Sequence, residues 1–103
     1  MVSVPGLRAA REALAAGRMT ATALVRQSLA ASEASRLSLN AFAAIDWDRA
    51  LRAAADSDQR YARGCPRALE GLPIGVKDLI DTKGVETRYG SRAYLGHVPA
   101  REP

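Results

Sequence analysis

Alanine supplies 21 of the 103 residues, while Phe42, Trp47, Tyr61, Tyr89 and Tyr94 are the only aromatics. A chain of this length buries only a modest core, and here few large side chains are on hand to fill it. Weak stability alone is expected, or packing against something further.

Helical spacing dominates the first two thirds. Leu7, Ala10 and Leu14 fall on one face of a helix over residues 6–16. Gly17 stands where a left-handed C-cap belongs. Thr20 reads as the N-cap of a second helix over 21–35, with Leu24, Val25, Ser28, Leu29 and Ser32 on its face. Together these make a helical hairpin over 6–35. The apolar run 39–45, LNAFAAI, is open to strand or buried helix by periodicity alone. Strand is favoured, because Asp46 then caps a third helix over 47–63. Trp47, Leu51, Ala54, Ala55 and Ala62 would be its buried side, and Gly64, Cys65 and Pro66 end it. This gives a strand–helix segment over 39–63.

Net charge is +4, carried by Arg residues interleaved with eleven acids and never massed into a run. That pattern reads as solvated helix faces, not a nucleic-acid surface. Cys65 is alone, so no internal disulfide is possible, which fits a reducing, cytoplasmic compartment. The N-terminal residues lack the apolar core of a secretion signal, and no window approaches a membrane span.

The chemistry-bearing stretch is residues 69–91, LEGLPIGVKDLIDTKGVETRYGS. Lys77 sits there among Ile74, Val76, Leu79 and Ile80. Burying an ammonium costs on the order of several kcal/mol unless it is paired or neutral. Burial lowers a lysine pKa, and a neutral amine is a base. Of fifteen basic residues only Lys77 and Lys83 are lysine, and arginine cannot serve as such a base. As a strand, residues 72–80 alternate, which puts Gly75 beside Lys77 on one face and opens room at the amine. The amine is expected near the edge of an open surface. Residues 81–84 form a turn, and a lysine-bearing strand and turn over 69–95 follows. From Gly96 onward nothing periodic remains.

Plainer readings stand beside these. Lys77 can snorkel to solvent at a strand end, or pair with Asp78 or Asp81. Gly71, Gly75 and Lys77 have the wrong spacing for a phosphate loop. Tyr89-Gly90-Ser91 reads as a pocket wall or as a turn. Cys65 reads as a loop thiol, and His97 as a solvated histidine in a loose tail.

Residue by residue, Gly71, Leu72, Pro73, Ile74, Gly75, Val76, Lys77 and Asp78, followed by Asp81, Gly84, Gly90 and Ser91, resemble the start of the amidase signature family. The paired-helix opening, the LNAF segment at 39–42 and the Ala-rich helix occur in the family's order. The resemblance implies an α/β fold. It would be the N-terminal part of the family's mixed sheet, with about three helices and two or three short strands. It implies hydrolases and amidotransferases acting on carboxamides through a serine nucleophile, a second serine on a cis peptide bond and a lysine. Lys77 matches that lysine, with Gly75 and Asp78 in support. No metal or organic cofactor is implied. The Gly/Ser-rich segment that carries both serines is absent from this sequence. The chain is therefore expected to be one N-terminal portion, inactive alone. The alternative is a truncated or split non-catalytic module that binds a partner chain, such as one bearing the rest of the fold.

Overall fold

The computed structural model describes residues 4–103. Three helices form, α1 (Leu7–Ala15), α2 (Ala21–Leu39) and α3 (Trp47–Ala62), with one short 3-10 turn at Arg92–Tyr94. The described residues contain no strand, so the architecture is all-α, and the α/β expectation is corrected. Both expected strands fail for one reason. A strand exists only through its inter-strand hydrogen bonds, and neither segment pairs into a ladder. At 39–45, Leu39 instead closes α2. Asn40 then turns left-handed (φ 52°) and donates its N–H to the Arg36 carbonyl at 3.1 Å, ending the helix. Residues 72–77 are irregular.

The chain divides into two compact units, Met1–Pro73 and Ile74–Pro103. In the first, α2 and α3 form the principal helix pair. Ala10, Leu14, Ala21, Leu24, Val25, Leu29 and Ala54 make the buried core. Met19, Ile45, Trp47, Leu51, Tyr61 and Leu72 pack around it half-buried. Small residues let the helices approach, and among the described residues Leu24, at 1% exposure, is the most fully buried large side chain, followed by Leu14 at 3%. On α3, Ala55 and Ala62 face solvent, and Ser57 takes the buried place. The Trp47 indole N–H reaches Glu33 on α2 at 3.2 Å.

Most of the helix ends are closed by caps, the start of α1 at Gly6 being without a side-chain cap. Both α1 and α3 finish in paired bonds of the Schellman type: Arg18 N–H to Ala13 O (2.9 Å) with Gly17 N–H to Leu14 O (3.2 Å), and Cys65 N–H to Arg60 O (3.0 Å) with Gly64 N–H to Tyr61 O (3.1 Å). Thr20 Oγ1 accepts from Ala23 N–H (3.1 Å), and Asp46 accepts from Arg49 N–H (3.0 Å). Asp58, on α3, supplies what Thr20 cannot. Its carboxylate accepts from the N–H groups of Ala21 (2.6 Å) and Thr22 (3.1 Å) and from the Thr22 hydroxyl (2.7 Å). The first three amides of α2, otherwise orphaned, are thus all satisfied. No helix among the described residues is long and apolar enough to cross a membrane.

The second unit has almost no apolar interior. Thr87 and Pro99 are its only buried residues. The segment after Gly96 is not loose: Thr87 N–H donates to His97 O at 2.9 Å and Gly84 N–H to Pro99 O at 3.0 Å, so it folds back along residues 84–87.

Candidate active site

The family motif straddles the division between the units. Gly71, Leu72 and Pro73 belong to the first, and there the motif is structural. Gly71 has φ +78°, and a Cβ placed on it would fall 2.9 Å from Ala21 Cβ and 3.4 Å from Leu14 Cδ1. Only glycine permits both that backbone and that approach. Glu70, immediately before it, is a buried carboxylate (3% exposed). Its oxygens accept from the Ser57 hydroxyl (2.7 Å) and from Arg67 Nε (3.0 Å), Nη2 (2.9 Å) and backbone N–H (3.3 Å). Arg60 Nε stands 3.5 Å away. The Tyr61 hydroxyl donates to the Glu70 carbonyl at 3.0 Å. The hydrogen bonds from Arg67, then the one from Ser57, hold the Glu70 pKa down to about 2 against the opposing pull of burial. The Arg67–Glu70 pairing is local, at i and i+3, but the partners Ser57 and Tyr61 lie on α3, too distant in sequence for any local signal.

Lys77 lies in the second unit, and it is exposed. Its apolar sequence neighbours do not enclose it: Ile74 is 82% exposed, Val76 50% and Leu79 53%. The Lys77 carbonyl accepts from Ile80 N–H at 3.0 Å, forming a tight turn at the point where the alternating pattern suggests continued strand. Gly75 stands in open space, with nothing within 4 Å of a Cβ built there. No close neighbour explains that glycine.

The acids of the loop are occupied elsewhere. Asp78 Oδ1 accepts from the backbone N–H of Arg88 at 2.9 Å. Asp81 Oδ1 accepts from the Tyr89 hydroxyl and lies 3.8 Å from His97 Nε2. Tyr89 has left-handed backbone (φ 55°), uncommon for a bulky residue. Its ring meets Tyr94 edge-on at 4.8 Å and lies 6.0 Å from His97 in a stacked arrangement. The hydrogen bond to Asp81, with some burial and the Asp81 charge, raises the Tyr89 phenol pKa. Ser91 accepts from Ala93 N–H (3.1 Å) and caps the 3-10 turn. Cys65 is exposed. No group of three or more His, Cys, Asp or Glu placed to hold a metal occurs among the described residues.

Residues 23–102 match the Amidase family, a span that includes Lys77 and most of the chain, and the chain belongs to that family. Among curated proteins it is similar to the A subunit of glutamyl-tRNA(Gln) amidotransferase from Anaeromyxobacter dehalogenans (strain 2CP-C), 47% identical over 95 residues, covering 91% of this chain and 19% of that protein. The protein of the same name from Azorhizobium caulinodans is 47% identical over 96 residues, covering 93% and 19%. That from Brucella ovis is 44% identical over 93 residues, covering 90% and 19%. The chain thus spans about a fifth of the length of these relatives.

Proposed function

We propose that this chain is the lysine-bearing portion of an amidase-type enzyme that acts on the carbon–nitrogen bond of a carboxamide, with Lys77 as the base. The supporting observation is that Lys77 stands inside the family match, within the motif of residues 71–78, with no acid of its own loop bonded to it. It is exposed in this chain, so the burial that favours a neutral amine is supplied by the further amidase sequence. In the proposed chemistry the neutral amine takes a proton from a bridging serine, which takes one from the serine nucleophile. The nucleophile attacks the carbonyl carbon, an acyl-enzyme forms, and ammonia or an amine leaves with the returned proton. Backbone N–H groups hold the oxyanion. No Gly/Ser-rich segment occurs in this sequence, so both serines come from further amidase sequence in the same or another chain. The names of the relatives favour part of an amidotransferase over a free-standing hydrolase. Asp78 acts at one remove, fixing the loop through Arg88 N–H. The lone cysteine, exposed, fits a reducing cytoplasmic setting.

A second reading has its own support. The second unit leaves Ile74, Val76, Leu79, Ile80, Leu95 and Val98 each at least 40% exposed. Such a surface suits a module that binds a partner chain, and the rest of an amidase is the partner we propose.

The test is complementation. The chain is mixed with the remainder of a related amidase, and ammonia release from a simple carboxamide is followed. Activity is expected only in the mixture. Lys77→Arg and Lys77→Met should each lower it by about three orders of magnitude, the range lost with an essential acid–base group. Arginine keeps the charge but cannot become a neutral base. Activity of Lys77→Arg near that of the unaltered chain would remove Lys77 from the role.

A further inference from the structure

We infer that Tyr89 is a positioning residue that keeps an acid of the lysine loop away from Lys77; this rests on the reading of Lys77 as the base. One carboxylate, Asp78, lies within the turn that Lys77 opens and a second, Asp81, directly follows it. Both carry the charge with which an exposed ammonium can pair. Both are engaged across the loop instead. Asp78 holds the N–H of Arg88 at 2.9 Å. Asp81 takes the hydroxyl of Tyr89, with His97 Nε2 at 3.8 Å on the same oxygen.

The arrangement around Tyr89 is built to deliver that hydroxyl. Its left-handed backbone (φ 55°) is adopted where glycine would be the usual occupant. Its ring is braced edge-on by Tyr94 at 4.8 Å and lies along His97 at 6.0 Å. His97 is in turn fixed through its backbone, with N–H to Tyr94 O at 2.9 Å and O to Thr87 N–H at 2.9 Å. The chemical consequence falls on the lysine. An ammonium paired with a carboxylate holds its proton more tightly, and a general base must give that proton up. By offering Asp81 a neutral donor, Tyr89 leaves the amine without a counter-charge. A fastening that served the fold alone would act on the whole loop; this one acts through the charge at residue 81, and the two are separable.

The experiment uses the whole chain and a brief exposure to an acetylating N-hydroxysuccinimide ester at mildly alkaline pH. Acetylation at Lys77 is read by peptide mass spectrometry against an added lysine peptide. Tyr89→Phe keeps the ring and frees the carboxylate. The Lys77 rate is expected to fall about threefold, the size an exposed ion pair supports. Asp81→Asn should not slow it. The double variant should return to the unaltered rate, because no carboxylate is left to capture the amine. A Tyr89→Phe rate that is unchanged overturns the inference. So does a double variant as slow as Tyr89→Phe, which would mean simple loosening of the loop, and so does a slower Asp81→Asn. Failure of the base reading looks different. Lys77→Met would then keep activity in the completed amidase, while the acetylation pattern stood.

Discussion

Glu70 shows how one side chain carries a segment. Its carboxylate is buried yet fully engaged, chiefly by Arg67 and Ser57, so removing any partner leaves a charge short of donors. Its folded pKa of about 2 lies below the value near 4.3 expected in the unfolded chain. The sign follows from that order. The unfolded state binds the proton first, so the stabilisation is fully present above the unfolded pKa and is lost as pH falls through the folded one. Thermal unfolding followed by circular dichroism should therefore show a steep loss of Tm between about pH 4.3 and pH 2. In Glu70→Gln that loss should flatten, with Tm at neutral pH already lowered; an equal acid slope in both proteins would deny Glu70 the role. Next to it, Gly71→Ala brings a methyl within 2.9 Å of Ala21 Cβ at a positive φ. It should cost about 1–3 kcal/mol by urea unfolding, typical of overpacking. Neither role is legible in the sequence. Only the Arg67–Glu70 spacing is local, and Gly71 stands out only as part of a motif, because the burial of Glu70 depends on Ser57 and Tyr61 of α3 and the close approach at Gly71 on Ala21 and Leu14.

At the scale of elements, what can be read is what is decided locally. Thr20 and Asp46 cap the helices they are expected to cap, and Gly17 turns left-handed after α1, since caps involve only the few residues around a helix end. The strands over 39–45 and 72–80 cannot be settled that way. Alternation records which way side chains would point in an extended segment, and says nothing of whether a neighbour completes the ladder. The second half of the α2 cap is hidden for the same reason, since Asp58 lies 37 residues from the amide it receives. Asp58→Ala strips α2 of acceptors at two amides and one hydroxyl. It should cost about 1–2 kcal/mol in urea unfolding, the upper part of the range for lost caps. Thr20→Ala removes one bond and should cost about 1 kcal/mol. The two act on adjacent amides, so a double variant should depart from additivity. Simple addition would show that the two caps act on α2 independently.

For the molecule as a whole, the sequence suggests a small core wanting cover, and the structure shows which apolar residues remain exposed. By pattern alone, Leu24 and Leu29 group with Trp47, Leu51, Ile74 and Val76 as faces for a larger core to cover. Leu24 and Leu29 are already buried among the chain's own helices, at 1% and 7% exposure, while Ile74 and Val76 remain 82% and 50% exposed. The difference is again one of partners: helix faces find theirs within the first unit, and the lysine segment does not. Substitutions should therefore split into two classes when the chain is offered the rest of an amidase. Leu24→Ala should lower the stability of the isolated chain by about 2–5 kcal/mol, as for other buried leucines. Ile74→Ser and Val76→Ser should leave its unfolding curve nearly unchanged, since they remove no contact from its core. Docking, followed by titration calorimetry, should respond in the opposite way. An apolar side chain covered on association contributes about 1.5–3 kcal/mol at most, so each serine should weaken the complex about tenfold. Lys77→Met should dock as the unaltered chain does and give an inactive complex. If Ile74→Ser and Val76→Ser docked with undiminished affinity, the exposed lysine segment would not be the surface that meets the rest of the enzyme, and the partner would have to be sought on the helical unit instead.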